Sequence, residues 1–197
     1  MSISPTLREA QAAGFTLGGE PSLALDLIDT TLHAHAADRT ELLDERADAW
    51  WELESGRLPA EAAPAPADVA RLRDALREVI EARIDGIPAS ARAIETVNRY
   101  AGAAARTPRL TMEGDRASFE MVWERRGGAS ARLAAIAQDG IELVGDPERS
   151  AQLRRCGNPT CTMVFLADNP RRTWCAPNVC GNRMRVARHQ QRRRTAR

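Results

Sequence analysis

The chain has 197 residues, 43% of them hydrophobic and 4% aromatic, enough for one medium domain plus a small module built around Ala, Leu, Val and Ile. Its net charge of +1 hides an opposition: residues 1–150 carry 17 Arg against 26 Asp and Glu, and residues 151–197 carry 11 Arg against Asp168 alone. No apolar run reaches the length of a membrane-spanning helix and the start MSISPTLREAQAAG lacks the blocks of a secretory signal, so no membrane partner is expected and the cytoplasm is the expected compartment.

All 28 basic side chains are Arg, so a single Arg says little about binding while their crowding at one end says more. After an irregular start, Pro21 to Leu32 is an apolar segment with acids set into it. Leu23, Leu25 and Leu27 alternate as in a strand, whereas Leu25, Ile28 and Leu32 repeat as in a helix, and the spacing leaves both open. Residues 40–55 predict a helix capped by Thr40 and ended by Gly56, with at least one of Trp50 and Trp51 in the core. Pro59 to Pro66 reads as a linker.

From Asp68, as N-cap, to Gly86, as stop, the stripe Val69, Leu72, Leu76, Val79, Ile80 and Ile84 predicts a helix. A second helix spans 89–105, with Ile94, Val97 and Ala101 on one side. Leu110 and Met112, then Phe119, Met121 and Trp123, alternate about Glu113-Gly114-Asp115 as a β-hairpin does. A helix over 130–144 follows, and Pro147 opens a short one leading to Cys156. The expected fold is α+β: a helix-dominated N-terminal domain with a β-hairpin over 1–146, then a small treble-clef-like module over 147–197.

Cys156, Cys161, Cys175 and Cys180 have the spacing C-x4-C-x13-C-x4-C, with turn formers Gly157, Asn158 and Pro159 inside the first pair. Two short pairs are the usual way for one chain to supply four thiolates to a single structural zinc. Two disulfides or an iron–sulfur cluster are the competing uses, and four cysteines leave no open position for a catalytic zinc. Met163 to Leu166 predicts a strand that turns at Asp168-Asn169-Pro170 and returns through Arg171 to Trp174. Pro177 then opens a helix through Cys180. About 45 residues hold too little core to fold alone, so the metal would supply folding energy.

On that helix Arg183, Arg185, Arg188, Arg192, Arg193 and Arg194 follow closely, with Val179, Met184 and Val186 turned toward the metal. With Arg171 and Arg172 of the turn, they form a candidate surface for phosphates and guanine edges of double-stranded DNA. A solvated basic helix, or one docked on an acidic protein, is the bland alternative.

Residues 155–188, with CGNPTC, VFL, RRTWC and CAPNVCGNR, resemble the CGNR zinc-finger family. That resemblance implies zinc on the four cysteines and a DNA-binding role; the loop between Leu166 and Trp174 is shorter than usual for the family. Residues 22–30, SLALDLIDT, with LRDALREVI (72–80) and Asn98, resemble the ABATE domain, a stress-induced transcription-regulator module that typically precedes this finger. Asp29 stands where that family tends to have Asn, and Leu27 where an aromatic is common.

In the body, Asp26, Asp29 and Thr30 set polar groups in apolar surroundings, as hydrogen-bonded fixtures or as pocket lining, and Arg73 and Arg77 could face an anionic effector. His33, His35 and Asp38 are a poor metallohydrolase set, and neither a Gly-rich phosphate loop nor a nucleophile elbow appears, so no enzyme is expected. The sequence therefore points to a transcription regulator that binds DNA through a zinc-clamped helix, with a body that senses a small molecule or forms a homodimer. The alternative is a zinc-stabilised module that docks on RNA or an acidic protein.

Overall fold

The computed structural model describes residues 4–15, 21–33, 39–125 and 130–195, so Ala34 to Asp38, with His35 and Asp38 of the discounted metallohydrolase set, and Arg197 lie outside the described residues. Helix α1 (Leu7–Ala12) opens the chain with a capping box between Thr6 and Glu9. Helix α2 (Leu23–Ile28) is capped by Ser22, and all six of its residues are buried. A helix sheathed on every side has no polar face, which is why two periods fitted it equally well. Asp139 also accepts from Ser22 Oγ at 2.6 Å and from the Ala24 N–H at 2.9 Å, anchoring the start of α2.

Strands β1 (Thr31–His33) and β2 (Arg39–Glu41) pair antiparallel, with Thr31 opposite Glu41. Thr40 is therefore a strand residue and not the helix cap. Helix α3 (Leu43–Leu53) has no side-chain bond at its N-cap, Leu42, and Glu41 accepts from the Leu43 N–H at 3.2 Å. Trp50 and Trp51 are both buried and meet edge to face, with centroids 4.6 Å apart.

Helix α4 (Pro66–Asp85) begins earlier than expected, because Pro66 fits a first turn that needs no N–H. Asp68 is then inside the helix and accepts from Arg71 at 2.6 Å and Tyr100 Oη at 2.7 Å. Helix α5 (Ala91–Ala101), capped by Ser90, is shorter than expected at both ends; Val97 is buried but Ile94 is 46% exposed.

Strands β3 (Ala104–Glu113) and β4 (Arg116–Arg125) form the expected hairpin, joined by Gly114 and Asp115. Gly114 has φ 62°, the sign that a two-residue hairpin turn with glycine in first place requires. Helix α6 (Ala131–Gly145), capped by Ser130, and α7 (Pro147–Ser150) complete the body.

The core gathers Leu25 and Ile28 of α2, Leu72, Leu76 and Ile80 of α4, and Ile136 and Leu143 of α6. Helices α2, α4 and α6 come together at Gly140, where an added Cβ would overlap Leu76 Cδ2 and stand 3.3 Å from Ala24 Cβ. Leu76 is 1% exposed and would have to swing its Cδ2 aside within the core. Gly140→Ala is therefore expected to destabilise the protein by about 1–2 kcal/mol, overpacking outweighing the better helix propensity of Ala. Urea midpoints measure it; a stabilised variant would contradict the packing described.

Past α7, strand β5 (Leu153–Arg155) pairs antiparallel with β6 (Val164–Leu166), Leu153 opposite Leu166 and Arg155 opposite Val164. The expected partner of β6, the returning segment 171–174, is not in that sheet; the strand before Cys156 takes its place, so the hairpin encloses the first cysteine pair. Helix α8 (Asn182–Thr195) ends the described chain.

Candidate metal centre and nucleic-acid interface

Residues of β6 alternate in direction, as a strand must. Val164 and Leu166, with Leu153, enter the body's core, while Phe165, with Met163 just before the strand, enters a second cluster with Cys156, Cys175, Ala176 and Cys180. One three-residue strand thus ties the cysteine module to the helical body. Further bonds reinforce it. Val164 N–H donates to Asp29 Oδ1 at 3.3 Å, Arg77 Nη1 donates to the Thr162 carbonyl at 3.2 Å, and Arg155 grips Asp85 with both Nη atoms at 2.5 and 2.8 Å. Arg155 beside it lowers the Asp85 carboxyl below the usual range.

All four Sγ atoms lie within 4.8 Å of one another; Cys161 is 3.8 Å from Cys175, and Cys175 is 3.5 Å from Cys180. Four sulfurs held at ~2.3 Å from a tetrahedral ion stand roughly 3.8 Å apart, so this cage fits zinc and is too wide for a disulfide between those pairs. Among the described residues, it is the group of His, Cys, Asp and Glu able to hold a metal. The donor set, four thiols and no water position, is that of a structural site.

Crowding leaves its mark on the thiols. Hydrogen bonds from Cys161 and then Cys175 pull Cys156 down to about 2, while Cys161, bonded to Cys156, is pushed up to about 12 and Cys175 is raised as well. Zinc is held by thiolates, so its binding displaces the thiol protons and affinity falls as pH falls.

Local sequence explains the cage. In the Cys156–Cys161 knuckle, Cys156 N–H donates to the Met163 carbonyl and Cys161 N–H to the Asn158 carbonyl, each at 2.9 Å. Asn158, expected only as a turn former, is 4% exposed: its Oδ1 accepts from the Thr160 N–H and hydroxyl, and its Nδ2 points at Cys180 Sγ, 3.7 Å away. Pro177 opens a π-helical turn, Pro177–Gly181, that carries Cys180 and leads into α8.

The arginines divide. Arg172, expected on the nucleic-acid surface, is turned inward. Its guanidinium donates to the carbonyls of Leu166, Trp174 and Cys175 at 3.0, 3.2 and 2.6 Å and stacks 4.5 Å from the Phe165 centroid. It latches the 167–174 loop onto the cage, a task its charge did not disclose. Arg171 is exposed beside it, and Arg183, Arg185, Arg188, Arg192 and Arg193 are exposed along α8, where Arg192 Nε reaches the Arg188 carbonyl. Val186, expected to face the metal, is 56% exposed; only Met184 of that helix is partly covered among residues 182–194.

The five polar residues considered for an effector meet no described cavity. Asp26, 4% exposed, is paired with Arg57, which also holds Glu54. Thr30 donates to the Leu27 carbonyl at 2.7 Å and accepts from Arg73, which also donates to Glu41. Asp29 and Arg77 face the cysteine module, with Arg77 also donating to the Ile28 carbonyl. Arg57 was missed because it follows Gly56 in what read as the end of a helix; its position gave no sign of two buried carboxylates beside it. The largest described cavity, about 820 Å³, lies elsewhere, bordered by Arg57, Glu61, Arg106, Trp123 and Asp139. No helix among the described residues is long and apolar enough to cross a membrane.

A search of curated proteins finds no match to this chain. Two family models do match, in the order that the fold displays: residues 21–147 match ABATE, described as a "putative stress-induced transcription regulator", and residues 152–193 match the CGNR zinc finger. With most of its length covered by the first-placed of these domains and its cysteine cage by the second, the chain belongs to the ABATE family and ends in a CGNR zinc finger built for one structural zinc.

Proposed function

We propose that the protein is a cytoplasmic, non-enzymatic transcription regulator that binds double-stranded DNA through α8. The observation that carries this reading is the character of that helix: polar on most positions, exposed on every side past Met184, crowded with Arg, and rooted at its start in the cage. A helix with no apolar stripe is not held by packing along its length, and a polyanion supplies what packing does not. Fourteen residues span roughly 21 Å, ample for a major groove.

Arg185 and Arg188 lie one turn apart on this helix, and Arg192 continues their face. Replacing Arg185 and Arg188 with Ala is expected to weaken duplex binding about tenfold or more and to flatten its salt dependence, with zinc content unchanged. Titration of labelled duplex at several salt concentrations reads both, and unaltered affinity would refute the assignment of α8. In the same reading the body senses a small molecule, and the 820 Å³ cavity beside Trp123 has the size to receive one.

A further inference from the structure

The β3–β4 hairpin is amphipathic in a way that the rest of the fold does not use. Its register sets Pro108 opposite Met121, Leu110 opposite Phe119 and Met112 opposite Ala117 on one face, while Arg109 faces Glu120 and Thr111 faces Ser118 on the other. Only the base of the apolar face is covered: Ala104 and Trp123 pack against Ala131 and Ala134 of α6. Toward the tip, Leu110 and Phe119 are each 71% exposed and Met112 58%. No third strand joins this sheet among the described residues, and a two-stranded ribbon holding its apolar face in water is marginal by itself.

We propose that this ribbon is a homodimerisation arm, packing its apolar face against the same face of a second copy across a two-fold axis. Charge favours that occupant over nucleic acid. Residues 104–125 carry four Arg against four acids, a neutral element on a body whose residues 1–150 otherwise sum to a strong negative charge. Two such bodies repel over most of their surface and meet here without penalty. Area agrees: Leu110, Met112, Phe119 and Met121 present on the order of 450 Å² per copy, so two copies would bury ~900 Å² through these side chains alone. Pro108, Ala117 and the surrounding main chain carry the total toward the ~1,200 Å² where specific interfaces begin. A face built of like apolar groups is self-complementary, as an isologous contact requires.

Sedimentation velocity of the zinc-loaded full chain over a range of concentrations tests this. The mass is expected to rise to twice that of one chain, to return to that of one chain in the double variant L110E/F119E, and to stay doubled in I141E, which alters the apolar surface of α6. Hydroxyl-radical footprinting of the unaltered protein provides a check free of any folding defect in a variant: labelling of Met112 and Phe119 should fall as concentration rises. A chain that stays single at every concentration, a dimer that survives L110E/F119E, a dimer lost in I141E, or labelling that does not change with concentration would each overturn the proposal.

Discussion

Serine in place of Cys180 is expected to strip the metal and unfold the chain from residue 156 to about residue 190. Cys180 closes the cage within 3.5 Å of Cys175 and sits in the π turn from which α8 departs. A serine hydroxyl is no substitute for a thiolate, and three cysteines hold zinc far more weakly than four. Structural zinc in a small finger contributes about 10–16 kcal/mol of apparent binding energy, more than such a module can replace from packing. Because Leu153, Val164 and Leu166 belong to the body's core, the damage should not stop at the finger; α2 and α4 should lose protection as well. Native mass spectrometry and amide exchange measure both effects. Chelation of the unaltered protein should reproduce them, and retained zinc with unchanged protection would contradict the cage.

Alanine in place of Arg57 is the second large effect. Arg57 lies between Asp26 and Glu54, whose side chains are 2% and 1% exposed, and Glu54 Oε1 has no hydrogen-bond partner among the described residues. Removing the guanidinium leaves two buried carboxylates facing each other, a loss of about 3–5 kcal/mol. Burial raises the Glu54 carboxyl, while the charge and hydrogen bond of Arg57 pull it back. A carboxyl raised in the folded state favours folding below its unfolded value and costs stability as pH rises through its folded value. Without Arg57 the rise is larger, so the deficit of the variant should be greatest at neutral pH and shrink toward the ordinary 4.5 of Glu. Urea midpoints of both proteins at neutral and mildly acid pH, with zinc content followed, give the difference. A deficit independent of pH would mean that the two carboxylates are not the cause.

The zinc ligands were legible because spacing alone can bring four thiols together, and the body's hairpin because Gly114 and the alternation on either side agree. Other features were hidden for identifiable reasons. Helix α2 is buried all round, so its periodicity carried no direction. The partner of β6 is a three-residue strand containing Arg154 and Arg155, which reads as surface until Arg155 is seen to reach Asp85. Arg172 and Val186 exchanged their expected surroundings: the charged side chain is spent on three carbonyls inside the loop, and the apolar one stands in solvent because α8 leaves the body. Asp29 was singled out as a polar group in an apolar segment and Arg77 as a cation that could face an anionic effector, but what both meet is the cysteine module.

Selection of random duplex DNA by the zinc-loaded full chain, with a chelated control, tests the central claim most directly. An enriched motif that disappears on chelation is the expected result, since the cage roots the helix that reads the groove. Binding that shows no sequence preference, or a preference that survives removal of the metal, would contradict a zinc-organised DNA regulator.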